Sequence, residues 1–306
     1  MVLAYDAVIA TIVVASDATS VTKTMVKSTT WREGTSGEWN STDCTLTAGN
    51  TYQFRTPLSG MSSSFTAILP NIKASVTVDW DTSATKISTV GNYFMYSYAD
   101  SCSGLTSLSV PDTSGLTSVG SSFMEGYAYG CSSLTSLSVP DISRLTTVGN
   151  FFMSYYAYGC SSLTSLSVPD TSGLTSVGDY FMYSYAYGCS SLTSLSVPDT
   201  SGITSVGDSF MASYAGDCTG LTSLILKGDT GWFSSHNISW SVPSSRLNYL
   251  YAYCNSAYLT NWQGLTTSGK TLYTNYIQSP SYVKALVIPT PIIGEKYPLP
   301  PFRRSV

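Results

Sequence analysis

The 306-residue chain is 43% hydrophobic, enough to bury a core, yet only 10% charged, with Ser, Thr, Tyr and Gly filling the polar positions. Its 14 basic and 18 acidic residues leave a net charge of −4, and between Ser103 and Asp217 eight acids stand against one base, Arg144. A nucleic-acid partner needs a basic stripe to neutralise phosphates, so that class is excluded. No run of about 20 apolar residues is present to insert into a membrane.

In chain order, residues 1–71 carry no repeat. Runs of β-branched residues at Ala7–Val14, Ser20–Val26 and Tyr52–Arg55, separated by Gly and Ser turns, predict a small β-rich domain that caps the repeats or attaches them to a partner. The opening stretch, Met1 to Ser16, lacks a positively charged start and carries Asp6 inside its apolar run, which favours a buried strand over a secretion signal. A surface-protein composition behind such a start predicts assembly onto a virus particle from inside an infected cell.

From residue 72 to 228 a period governs the chain. Cys102, Cys131, Cys160, Cys189 and Cys218 are each 29 residues apart, and most other positions keep the same spacing. An earlier, divergent unit ends at Cys102, with Val76 and Val78 matching Leu108 and Val110. In the unit Leu163–Ser191, Leu163, Leu166 and Val168 predict a short strand ended by Pro169-Asp170, and Leu174 and Val177 a second inward stretch. Gly178 allows a bend. Asp179, with Asn92, Ser121, Asn150 and Asp208 at equivalent positions, predicts the N-cap of a short helix whose inner face is Phe181, Met182, Tyr185, Ala186 and Cys189. A unit cannot bury its apolar stripe alone, so units stack about 4.8 Å apart, giving ladders that start at Phe94, Met95, Tyr98 and Leu105.

The pattern LTSLSVP…LTSVG…F…GCSSL over residues 72–228 resembles the BspA-type leucine-rich repeat of bacterial surface proteins and related phage proteins. The resemblance implies an α/β solenoid of short parallel strands and short helices, flanked by the β-rich N-terminal domain and a C-terminal cap. More loosely it implies adhesion to cells, matrix or host proteins. The segment FMYSYAYGC is longer than the family's usual unit and predicts a longer helix.

Residues 229–288, rich in Trp and Tyr, are expected to form an aromatic cap, and residues 289–306 a Pro-rich tail that docks on a neighbour or hangs free. Gly264-Leu-Thr-Thr-Ser-Gly269-Lys270-Thr271 fits the phosphate-binding G-x-x-x-x-G-K-[ST] pattern. Its surroundings lack the strand and helix that a phosphate loop requires, so a surface turn is expected and a nucleotide-binding enzyme is the remote alternative. The Cys ladder reads as free core thiols, the column Asp112/Asp141/Asp170/Asp199 as turn residues rather than a cation site, and His236 as no part of a catalytic triad. No metal or cofactor is called for.

Two faces are candidates for binding. Three tyrosines within five residues, Tyr183, Tyr185 and Tyr187, cannot all point inward, so Tyr129, Tyr158, Tyr183 and Tyr187 are expected on an exposed aromatic face. Thr106, Ser109, Thr135, Ser138, Thr164 and Ser167 are expected to form a hydroxyl carpet on the strand face. The function these features predict is non-enzymatic: a virion fibre, decoration or tail component that recognises a cell-surface protein or glycan. Self-association or a virion partner would use the N-terminal domain or the Pro-rich tail. The alternative is a secreted bacterial adhesin, extracellular or on the cell surface.

Overall fold

The computed structural model describes residues 6–19, 21–23, 30–57, 73–77, 88–200, 202–221 and 223–227, and the strands 249–254, 266–267, 270–271, 273–274 and 283–287. The repeat is built as stacked coils. Leu105–Leu108 pairs in parallel with Ser136–Leu137 through Ser107↔Ser136 and Leu108↔Leu137, one 29-residue period apart. Further parallel pairs join Thr89–Val90 to Ser118–Val119 and Thr147–Val148 to Ser176–Val177, again one period apart. The divergent first unit aligns as its sequence predicts, with Val76 of Ala74–Thr77 opposite Leu108.

The strand Asp6–Val14 pairs antiparallel with Thr51–Pro57 on one side and with Ala74–Thr77 on the other, so one six-stranded sheet runs from the N-terminal hairpins into the first coils. Ile12 and Val14 are buried while Val13 is 47% exposed. That alternation marks a strand with one face on a core rather than one buried on both faces. Beyond the fifth cysteine, Ser223–Lys227 pairs in parallel with Tyr249–Cys254, with Ser223 opposite Tyr249 and hence 26 residues apart.

The expected helices are not there: the described residues contain strands and turns only. In the segment after each capping residue, alternate residues take the left-handed conformation. In the fourth coil these are Tyr180 (φ 57°), Met182 (47°), Ser184 (50°) and Gly188 (73°). Alternating right- and left-handed residues cancels the helical twist and flattens the segment, so that N–H groups reach the neighbouring coils, that of Met182 going back to Phe152. The N–H groups of Tyr180, Ser184, Ala186 and Gly188 therefore donate to the carbonyls of Asp208, Ala212, Tyr214 and Gly216 in the next coil. The same four bonds recur in the coils before it. Left-handed Tyr, Met and Ser cost roughly 1–3 kcal/mol each. Cooperation between coils offsets that cost, since each ribbon bonds both neighbours and packs its inner side chains.

The core is a set of continuous columns. Tyr98, Tyr127, Tyr156, Tyr185 and Tyr214 are buried, with neighbouring rings 5.2–5.4 Å apart and nearly parallel. Tyr127, Tyr156, Tyr185 and Tyr214 each donate the phenol proton to a backbone carbonyl 18 residues back, on Ser109, Ser138, Ser167 and Ser196. Phe94, Phe123, Phe152, Phe181 and Phe210 stack alongside. The thiols of Cys131, Cys160, Cys189 and Cys218 are free and buried, and each reaches an alanine carbonyl of the preceding coil at 3.0–3.1 Å.

The capping residues hold the corner in a way the sequence did not reveal. Asn92, Asn150 and Asp179 accept, through Oδ1, from the N–H of Ser121, Asp179 and Asp208, the same position one coil later. They bridge coils instead of capping helices.

Candidate functional site: the aromatic face

The ribbon segment that buries Tyr185 turns its other side outward. Tyr129, Tyr158 and Tyr187 stack as a column on that side, with ring centroids 4.6 and 4.9 Å apart and planes within 6°. Phe151 and Tyr180 form a second stack at 4.7 Å. Tyr155 and Tyr183 join the two, edge to face with each other at 5.2 Å, Tyr183 against Tyr180 and Tyr155 against Tyr129 and Tyr158. Seven rings thus make one connected patch, with Tyr129 and Tyr180 the most exposed. Stacked rings cover one another's faces and present edges and hydroxyls to the solvent.

The backbone sets the limits of the patch. At the far end of the Tyr129 column the equivalent residue is Gly216, where a Cβ would stand 2.5 Å from Cδ2 of Tyr187, so the ring lies directly over the glycine backbone. At the near end the column begins with Asp100. Carboxylates border the rings: the Tyr187 hydroxyl donates to Asp217, and Glu125 sits within electrostatic reach of Tyr155. Burial raises the Glu125 carboxyl above its ordinary range, and a hydrogen bond with Ser122 partly opposes it. The Tyr187 phenol is held high by its bond to Asp217, then by burial; Tyr158 rises through burial, then through Tyr129 and Asp217. The face therefore presents protonated phenols, which both donate and accept, bordered by carboxylates.

All four expected tyrosines lie on this face; Phe151, Tyr155 and Tyr180 were missed. A helix places the residue after its cap ambiguously, but the repeats themselves carried the signal. At one position the chain has Tyr93, Ser122, Phe151, Tyr180 and Ser209; a site that accepts both Ser and an aromatic is not reserved for a core ring, and there Tyr93, Phe151 and Tyr180 are exposed or half-exposed while the smaller Ser122 is buried.

The hydroxyl face is less free than expected. Thr106 and Ser109 are half-buried, and the Thr106 hydroxyl donates to the Ala74 carbonyl. The Thr135 hydroxyl donates to the Thr106 carbonyl, and the Ser138 hydroxyl accepts from the Val110 N–H. Thr164 and Ser167 are exposed. Much of that surface thus serves to tie one coil to the next.

The remaining motifs resolve into structure. Asp112 and Asp141 each accept from the N–H and hydroxyl of the serine two residues on, Ser114 and Ser143, and Asp170 accepts from the Ser172 N–H, as turn residues do. Among the described residues no group of three or more His, Cys, Asp or Glu side chains is gathered as metal ligands. Lys270 of the GLTTSGKT motif stands on the strand Lys270–Thr271, paired antiparallel with Thr266–Thr267, whereas a phosphate loop would place it at the start of a helix. His236 and the residues of the Pro-rich tail lie outside the described residues, as does the side chain of Cys254. Among the described residues no helix is long and apolar enough to cross a membrane.

Six copies of the BspA type leucine-rich repeat region match the chain, in overlapping spans at residues 82–239 and 152–277. The chain belongs to this family. The matched spans run past Gly228, where the strict 29-residue period stops, into the stretch containing the strand Tyr249–Cys254. Among solved structures, a leucine-rich repeat protein from Bacteroides ovatus is similar, at 20% identity and a TM-score of 0.27, over 46% of this chain and 37% of that protein. Comparison with curated proteins finds no match. BspA-type proteins are typically found at surfaces or outside the cell, are typically non-enzymatic, and leucine-rich repeats commonly bind proteins.

Proposed function

We propose that this BspA-type repeat protein is a non-enzymatic recognition protein whose aromatic face binds a surface protein or glycan. The observation that carries the reading is the connected patch of seven exposed or half-exposed rings on a rigid lattice. Tyrosines give a large amphipathic contact area and lose little conformational entropy, here less still because each ring already packs against a neighbouring ring. The strand face is the weaker candidate because several of its hydroxyls serve neighbouring coils.

On this reading the stacked coils form a solenoid rod displayed on a virion as a fibre, decoration or tail component, attached through a flank. A secreted bacterial adhesin is the alternative, and the two differ in where the chain is found. The test compares the wild type with Tyr158→Ser and Tyr180→Ser for binding to intact bacterial and host cells and to immobilised glycans. Loss of about tenfold or more in affinity at unchanged melting temperature is expected for a central aromatic anchor. Equal binding by all three proteins would refute the assignment. Mass spectrometry of purified particles and of culture supernatant decides between the two locations.

A further inference from the structure

The charge along the chain is segregated. Residues 88–221 hold nine acids and one base, a net of −8, whereas residues 228–306 hold six bases and two acids, a net of +4. Of those six bases, three cluster near the proline-rich sequence: Lys296, Arg303 and Arg304. The aromatic face concentrates the opposite character. Asp100 heads its tyrosine column, Glu125 lies beside Tyr155, and Asp217 accepts from Tyr187 at the far end. The one base of the repeat, Arg144, belongs to the Ser143–Arg144 turn next to Asp141, and not to the ribbon segment that carries the rings. Among the described residues no positively charged side chain is recorded against these phenol and carboxylate oxygens, and aromatic rings bordered by carboxylates favour guanidinium and ammonium groups.

We infer that the basic, proline-rich segment Ile288–Arg304 of the same chain docks on this aromatic face, placing Lys296, Arg303 and Arg304 among Asp100, Glu125, Asp217 and the phenol oxygens. Reach permits it. Sixteen residue steps separate Val287, the last residue of the strand Val283–Val287, from Arg303; at about 3.5 Å each they span up to roughly 55 Å. A tethered segment competes at an effective concentration in the millimolar range, so even a weak intrinsic affinity keeps the face covered. Proline-rich sequence adds stiff apolar surface at low entropic cost, suited to a face of ring edges. The inference rests on the aromatic face being a recognition surface and gives that surface a regulator: an external partner must displace the segment.

The test is limited proteolysis of the full chain by trypsin, with mass spectrometry of cleavage after Arg303 and Arg304, beside a free peptide of residues 288–306. In low salt the chain is expected to be cut about tenfold more slowly than the peptide, as a millimolar tether and an intrinsic Kd near 0.1 mM would give. Protection should vanish at about 0.5 M NaCl, where exposed charge pairs are screened, and in the variant Glu125→Gln/Asp217→Asn. Cleavage at the peptide's rate in low salt would overturn the inference, as would protection that neither salt nor the face variant alters. Should that variant fold poorly, nitration of Tyr129 and Tyr158 in full-length Arg303→Ser/Arg304→Ser supplies the second reading: a rise of about threefold or more supports docking, and an unchanged rate refutes it. No external partner enters either assay, so the docking can fail while cell or glycan binding by the face stands, and the reverse.

Discussion

Gly91, Gly120, Gly149, Gly178 and Gly207 recur at the 29-residue period, yet replacement with alanine is expected to have opposite effects at the first of them and inside the stack. None has a positive φ, so left-handed backbone is not their reason. At Gly178 an added Cβ would stand 2.3 Å from Oδ1 of Asn150 and 2.7 Å from both the Asn150 nitrogen and the Gly149 carbonyl carbon. Two of those three contacts are backbone, so no rotamer change relieves them and the two coils must separate. Separation also breaks the bonds from Asp179 N–H to Asn150 and from Gly178 N–H to Val148. Overpacking of about 1–3 kcal/mol and two hydrogen bonds of about 1 kcal/mol each place Gly178→Ala at roughly 3–5 kcal/mol of destabilisation. At Gly91, among the described residues nothing lies within 4 Å of the added Cβ. Gly91→Ala should therefore be neutral or stabilising by about 0.4–1 kcal/mol through the unfolded chain. Thermal and guanidinium unfolding monitored by circular dichroism measures both. At roughly 2–4 °C per kcal/mol, Gly178→Ala should melt about 10 °C below Gly91→Ala. Melting within about 2 °C of each other would refute the account of the corner as a close contact between coils.

Tyr156→Phe keeps the stacked ring but leaves the Ser138 carbonyl without its 2.6 Å phenol donor, and should cost about 1–2 kcal/mol in denaturant titration; no loss would show that water replaces the bond. Leu166→Asp puts an unpaired charge in the core and should lower stability by several kcal/mol, whereas Tyr187→Ser, at the half-exposed rim, should stay within about 1 kcal/mol. An unchanged melting temperature for the first would contradict its inward position. Alkali should unfold the protein. Burial pushes the thiols of Cys131, Cys160, Cys189 and Cys218 up, Cys218 to about 12, against about 8.5 in an unfolded chain. A raised folded pKa gives stability that is complete below the unfolded value and lost as pH rises through the interval above it. Each thiol then removes up to about 1.4 kcal/mol per pH unit, and the buried tyrosines join from about pH 10. A denaturant midpoint that is level from about pH 6 to 8 and falls steeply above about pH 9 is expected, and a midpoint constant to about pH 10.5 would refute it.

The period, several of the strands and the core columns were legible because stacking identical coils forces identical side chains into register; the strand expected from Leu163 to Val168 is not formed, although Leu163 and Leu166 point inward as expected. Val76 opposite Leu108, the inner tyrosine column and the buried thiols could all be read from a 29-residue ruler. The backbone of FMYSYAYGC could not. Its buried positions, Phe181, Met182, Tyr185, Ala186 and Cys189, have the spacing of a helical stripe, and a ribbon of alternating hand buries the same set. What distinguishes the two is where the N–H groups go: four residues back in a helix, or 28 residues on, as from Ala186 to Tyr214. Composition offered one hint, since Gly130, Gly159 and Gly188 stand at a left-handed position. Ser101 and Asp217 at the same position, and Met at another, gave no such sign because the stack and not the residue imposes the conformation.

That imposed conformation is what makes the aromatic face. In a helix about 100° separates successive side chains, so Tyr183, Tyr185 and Tyr187 would fan around the axis and only part of each ring would reach solvent. In the flat ribbon they alternate, Tyr185 inward onto Tyr156 and Tyr214, Tyr183 and Tyr187 outward onto Tyr155 and Tyr158. The inner ring anchors the coil through the Ser167 carbonyl, and the outer rings inherit its register. Recognition and stability are thus coupled through one backbone segment. A core substitution that shifts one coil by a fraction of the interstrand spacing should break the outer column next to it, whereas loss of an outer ring leaves the core in place. Binding should therefore be lost with either kind of variant, and stability with only one.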